Sequence, residues 1–273
     1  MWANSLSVKQ MLDYFQFIFH ASINLLCFGA HCERFSFESI QKNVKGFRTI
    51  CLTSGKHEHN RRILRVLQPA ELDLMENALE DGNIHRSISI QNFDVICAGS
   101  LQITLDDLLV FNARSIHLGC DRLSLKIPNH FLKLWTKGSN SRLEYLNLQF
   151  RRVDFQEEEL LKGLKYQMVP LNTKRLFKSS GLEKPMKVIG GWDIRRLDGT
   201  QATINYGGND NHVYFVLFVW HAHCVVNTIS SYTVYFFYNF IMFHLLLQSH
   251  HALHNSDNSY QFILNNKYLF KNL

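Results

Sequence analysis

The chain has 273 residues, 46% apolar and 19% charged, with a formal net charge of +6 and a pI near 9.0. That length fits one domain of about 200–250 residues, or two smaller ones, and suffices for a core without covalent staples. Lys and Arg are scattered along the chain, so the mild basicity excludes the clustered footprint of a nucleic-acid binder.

The closest things to a basic patch, Arg151-Arg152 and Arg195-Arg196, read as solvated surface. Six cysteines occur, none in C-x-x-C spacing: Cys27, Cys32, Cys51, Cys97, Cys120 and Cys224. With no basic, then apolar, leader at Met1, they predict free thiols in a reducing compartment, cytoplasmic or nuclear. Cys51, Cys97 and Cys120 lie in or beside apolar runs and are expected to pack as small hydrophobes.

From the N-terminus, Ser7 is placed to cap a helix whose Val8, Met11, Leu12, Phe15 and Phe19 share one face. Arg48-Thr49-Ile50-Cys51-Leu52 then reads as a strand. His57-Glu58-His59 lacks the i,i+4 spacing of a zinc-protease helix and is expected in a loop.

A repeat follows. Arg86, Arg114 and Arg142 recur every 28 residues, each opening an alternating segment (Arg86–Ile90, Arg114–Leu118, Arg142–Leu148). Alternation of this kind is the signal of a half-buried strand. Each segment leads to a helix signal. Thr104 with Asp107 forms a capping pattern ahead of Leu108-Leu109. Pro128 suits the first turn of a helix through Trp135. Asp154 with Glu157 precedes Leu160, Leu161 and Leu164, and Glu157-Glu158-Glu159 suits a helix N-terminus.

The unit is a strand plus a helix of about 28 residues, and Leu143-x-x-Leu146-x-Leu148 fits the strand core of a leucine-rich repeat. The fold expected is therefore α/β: short leucine-rich-repeat-like strand–helix repeats closed by a C-terminal antiparallel β piece. Stacks of this kind bind proteins more often than they host reactions.

The antiparallel piece is read from Trp192–Leu197 and Gln201–Tyr206 around Asp198-Gly199-Thr200. A three-residue Asp-Gly-Thr loop sets Ile194 opposite Ile204 and Trp192 opposite Tyr206, which gathers the apolar side chains on one face. Gly190-Gly191 lets the chain enter this hairpin, and Val213–Trp220 adds a buried strand.

The character of the chain then changes. No glycine follows Gly208, no proline follows Pro185, and no arginine follows Arg196. Between His212 and Leu273 only Asp257, Lys267 and Lys271 are charged, and half of the 14 histidines lie there. Three readings are open for this tail. Thr228–Gln248 is long enough to cross a membrane, though without flanking Lys or Arg. Extra core strands are the second. Translated AT-rich sequence is the third, and it best accounts for the missing Gly, Pro and Arg.

Several of these residues together resemble a family. Ser7-Val8-Lys9, Gln91-Asn92-Phe93-Asp94, Phe131–Trp135, Asn140–Leu146 and Trp192–Ile204, in this order, look like the F-box-associated domain (type 2) of nematode F-box proteins, over roughly residues 1–220. The resemblance implies a domain that captures substrate for a cullin–RING ubiquitin ligase. It also implies a Skp-type adaptor as partner, provided that an F-box precedes the domain. The 40–50 residues of an F-box expected before the Ser7 helix are not seen. The family has no catalytic residues to carry over.

Searches for chemistry return little. Gly190-Gly191 is no phosphate loop, and there is no Gly-x-Ser-x-Gly elbow. His221-Ala222-His223-Cys224 offers imidazole and thiol donors without an evident further ligand.

The expectation is a non-enzyme with no catalytic, cofactor-binding or metal residue. Its substrate-binding residues are not readable, and its partner is an unidentified substrate protein. The expected organisation is an N-terminal helical flank over 1–43, a recognition domain over 44–220 and an atypical apolar tail over 221–273. A truncated remnant or decoy, and a protein anchored through residues 228–248, are the alternative readings.

Overall fold

The computed structural model describes residues 25–29, 47–53, 57–75, 78, 90–99, 103–119, 124–151, 156–182, 184–209 and 212–226. The Ser7 helix, Arg86–Ser89, Cys32, Cys120, Asp154 and Thr228–Gln248 lie outside the described residues. Those described fall into two compact units. The first holds the residues before Asn83 together with Ile96–Gly99; the second holds the remainder.

The first unit contains β1 (Leu25–Phe28), β2 (Thr49–Leu52), helix α1 (His57–Leu67), β3 (Glu71–Leu74) and β4 (Val95–Ala98). They are neighbours in the order β1-β2-β3-β4, and β1–β2 and β2–β3 pair in parallel. Parallel strands need a crossover, and α1 supplies the one between β2 and β3. His57-Glu58-His59, expected in a loop, instead opens α1, where Glu58 sits well against the helix dipole.

Alternation decides which side chains go inward. Leu26, Phe28, Ile50, Leu52, Leu72, Leu74, Ile96 and Ala98 are buried with Ile63 and Leu64 of α1. The other face of the same strands carries Cys27, Cys51, Asp73 and Cys97.

The second unit runs α2 (Leu105–Val110), β5 (Ser115–Gly119), α3 (Lys126–Thr136), β6 (Tyr145–Arg151), α4 (Glu157–Leu161), β7 (Gln167–Phe177), β8 (Met186–Arg195), β9 (Gln201–Gly208) and β10 (His212–Val219). Its strand order is β5-β6-β10-β9-β8-β7. Only β5–β6 is parallel. β10 inserts between β6 and β9 and pairs antiparallel with both. The chain is thus mixed α/β with a C-terminal antiparallel piece, and β10 is the buried strand expected at Val213–Trp220.

The helix signals hold locally. Thr104 and Asp107 form a reciprocal capping box on α2: Asp107 N–H donates to Thr104 Oγ1 at 3.2 Å, and Thr104 N–H to Asp107 Oδ2 at 2.9 Å. Pro128 sits in the first turn of α3. α4 is shorter than expected: Gln156 precedes it without a side-chain cap, and Gly163 at φ +71° turns the chain before Leu164.

The uniform 28-residue period does not hold. β1 to β4 start at residues 25, 49, 71 and 95, whereas β5 and β6 start at 115 and 145. Arg114 precedes its strand by one residue and Arg142 by three, because these arginines belong to strand-entry loops and not to strand register. The segment that Arg86 opens lies outside the described residues.

The hairpin register also differs by two residues: Ile194 pairs with Ala202 and Trp192 with Ile204. The loop closes earlier, where Arg196 N–H donates to the Thr200 carbonyl at 2.9 Å, because Arg196 is drawn into the core. It is 6% exposed, lies 5.5 Å from the centroid of the Trp135 ring and binds Asp198 and Thr200. It is not the solvated residue that the Arg195-Arg196 pair suggested. A two-residue shift preserves the facing of every side chain, so Trp192 and Tyr206 still stack diagonally, 5.4 Å between centroids.

Gly191 is needed for this geometry. Its φ is +104°, and a Cβ there would lie 2.5 Å from the Ile204 carbonyl oxygen. Gly191→Ala is expected to lower unfolding free energy by about 2 kcal/mol or more, read from the midpoint of urea denaturation.

Candidate functional site

Glu144 ends the loop Asn140–Glu144 that delivers the chain into β6. Its carboxylate is only 2% exposed, yet it joins three distant segments. Oε2 accepts from Ser180 N–H at 2.9 Å and Ser180 O–H at 2.8 Å. Oε1 lies 2.9 Å from His223 Nε2 and 3.8 Å from Arg114 Nε. Burial pushes this carboxyl up, but the Ser180 N–H, His223 and the Ser180 hydroxyl outweigh it and hold the group below the usual glutamate range.

Next to it, the short 3-10 turn Ala222–Cys224 folds back on the sheet. Phe177 bridges to Val225, and Lys178 N–H donates to the Cys224 carbonyl at 2.9 Å. His221 Nε2 sits 2.9 Å from the Leu143 carbonyl, and its ring stacks on His223 at 5.5 Å. Cys224 is fully buried among Tyr145, Phe177, Val188 and Phe218. Burial, reinforced by the charge of Glu144, pushes its thiol up to about 12.

Among the described residues, Glu144, His223 and Cys224 are the one group of three metal-capable side chains whose ligand atoms all lie within 4.8 Å of one another. The sequence pointed to His223 and Cys224 but not to Glu144, 79 positions away from His223. No local spacing could have signalled it.

The other residues that stood out in the sequence are largely consumed by the fold. Asn140, at φ +49°, donates to the carbonyls of Leu108 and Phe111, both at 3.0 Å. Arg142 donates to Asn92 and to the Asn112 carbonyl. Phe131, Leu132 and Trp135 are core. Asp193 gathers Arg175, Gln201 and Thr203, and Trp220 Nε1–H donates to Thr203 Oγ1 at 2.7 Å.

What the second unit leaves open lies further out on the antiparallel piece. Met168, paired with Trp192, is 70% exposed on β7, which ends the strand order, and Leu171 is 80% exposed. Met168, Trp192 and Tyr206 occupy alternate positions on one sheet face, and Leu171 lies over Gly190, where a Cβ would meet its Cδ2 at 2.9 Å. A joined strip of exposed Met168, Leu171 and Tyr206 with half-buried Trp192 is a candidate binding surface.

The first unit carries a different feature, the row Cys27–Cys51–Asp73 set by the pairing of β1, β2 and β3. The ladder bonds Thr53 N–H to Phe28 C=O, Met75 N–H to Leu52 C=O and Gly99 N–H to Leu74 C=O repeat one pattern, which places Cys97 beside Asp73 in that row. All four described cysteines are free. Burial pushes Asp73 up to about 7, against a contact from Cys51, and its Oδ1 has no hydrogen-bond partner.

Two measurements follow. Glu144→Ala strips the partners from Ser180 and His223 and is expected to cost about 2–4 kcal/mol in urea denaturation, with Glu144→Gln costing less. Asp73 holds its proton in the folded chain up to about pH 7 but loses it near pH 4 when unfolded. Folding stability should therefore fall as pH rises from about 4 to 7 and level off above. Asp73→Asn is expected to remove that slope, gaining roughly 1–3 kcal/mol over the parent at pH 8 and almost nothing at pH 4.

Compared with known proteins, residues 84–148 match the family model described as F-box associated. No curated protein and no solved structure matches the chain. The matched segment runs through Asn92, α2, β5, α3, Asn140 and Glu144, which are the elements that hold the second unit together.

Proposed function

We propose that the chain is a protein-interaction module of the F-box-associated kind, capturing a substrate protein for a cullin–RING ubiquitin ligase rather than catalysing a reaction. The observation that carries this reading is the strip of exposed Met168, Leu171 and Tyr206 around half-buried Trp192. Aromatic and Met side chains concentrate in the centres of protein interfaces. Here they sit on a rigid sheet whose own core is filled elsewhere. The F-box-associated match over residues 84–148 supports a partner-binding role.

The substrate contacts the antiparallel piece of the second unit. A Skp-type adaptor joins the assembly only where an F-box accompanies the domain. Membrane attachment is not favoured. Among the described residues no helix is long and apolar enough to cross a membrane, and Thr228–Gln248 lies outside them.

The double substitution Met168→Asp with Leu171→Asp tests the strip. Both side chains are exposed, so the melting transition should stay within a few degrees of the parent. Quantitative co-precipitation from cells should lose the captured protein by at least about tenfold, since burying either aspartate costs more than 1.4 kcal/mol. An unchanged partner set with an unchanged melting transition would refute the strip as the capture surface.

A further inference from the structure

We propose that Glu144, His223 and Cys224 form a zinc site of three protein ligands, with a fourth position left to solvent or to an incoming donor. The donor set comes first. Thiolate, imidazole and carboxylate together are the ligands that zinc takes, and three protein ligands are the count of its open sites. Zinc bonds of about 2.0–2.3 Å put tetrahedral ligands roughly 3.3–3.7 Å apart. Glu144 Oε1 and His223 Nε2, 2.9 Å apart, would open slightly, and the distances to Cys224 Sγ, all within 4.8 Å, would close by about an ångström.

Part of the adjustment falls on the exposed ligand. His223 has 65% of its side chain exposed and can turn, whereas Glu144 and Cys224 are fixed by burial. Oε2 of Glu144 is gripped by the Ser180 N–H and O–H, which sets the carboxylate so that Oε1 points at His223. Ligating carboxylates are held by second partners in this way. Backbone bonds hold the turn from both sides: Cys224 N–H donates to the His221 carbonyl at 2.8 Å, and the Cys224 carbonyl accepts from Lys178.

Binding would replace the His223–Glu144 hydrogen bond with a bridge through the ion. The Cys224 S–H bond breaks as the S–Zn bond forms, and the proton leaves to solvent, so charge and atoms balance. Arg114 is the opposing element, with Nε 3.8 Å from the same carboxylate oxygen. Its side chain is 43% exposed and can withdraw, and the repulsion it adds limits the site to modest affinity.

Cobalt(II), a spectroscopic stand-in for zinc, is the probe. Titrated into the full-length chain, it should give a thiolate-to-cobalt charge-transfer band that saturates at one equivalent and disappears when Zn²⁺ is added. Cys224→Ser should abolish the band. His223→Ala removes an exposed side chain and one partner of Glu144, so the metal-free melting transition should fall somewhat, while Ser180 and Arg114 still partner the carboxylate and the fold is retained. It should weaken cobalt binding by at least about tenfold. No band in the parent chain, a band that survives in Cys224→Ser, or His223→Ala binding cobalt as tightly as the parent would each overturn the site.

Discussion

The second unit depends on a charge placed where charges are costly. Glu144 is almost wholly removed from water, and an unpaired carboxylate there would destabilise the fold by several kcal/mol. Its oxygens are therefore partnered from three directions: the turn at Ser180, the last described turn at His223, and the guanidinium of Arg114. The segments that answer it are far apart in the chain, so satisfying this one group fixes where the β7–β8 connection and the chain after β10 must lie. The backbone of the same residue does likewise: its N–H donates to Arg114 and its carbonyl accepts from Val219.

A second constraint acts through β10. A parallel pair cannot continue without another crossover, and the chain after β6 makes a meander of β7, β8 and β9 instead. β10 closes it by entering between β9 and β6, where one face is buried along its length and the other is buried at its C-terminal end. Phe215 and Leu217 align with Leu148 and Leu146 on one side, and Phe218 packs with Tyr145 and Phe177 on the other. That is why His212–Val219 reads as an almost continuous apolar run.

The residues that carry the family likeness are therefore mostly structural. Asn140 satisfies carbonyls at the end of α2, Trp135 underlies Arg196, and Glu144 anchors the unit. A pattern made of such residues reports a fold, because the fold fails without them. The residues proposed to meet a partner, Met168 and Leu171, lie outside the matched segment 84–148. Recognition surfaces differ with what they recognise, whereas the scaffold that presents them does not.

By itself the sequence determined what short-range physics controls. Strand alternation put Ile50 and Leu52 inside, Thr104 and Asp107 capped α2 over one turn, and the apolar run after His212 marked a largely buried strand. It misread whatever depended on distant partners. Spacing between arginines was taken for a strand period when it belonged to loops. The hairpin register shifted because Arg196 found Trp135 some sixty residues away, and Cys224 acquired Glu144 as a neighbour only through the pairing of β6 with β10. Hydrogen-bond caps and alternation act within a few residues and leave their mark in composition. The energy of a buried charge or a shared ligand set depends on which segments meet, and only the folded chain decides that.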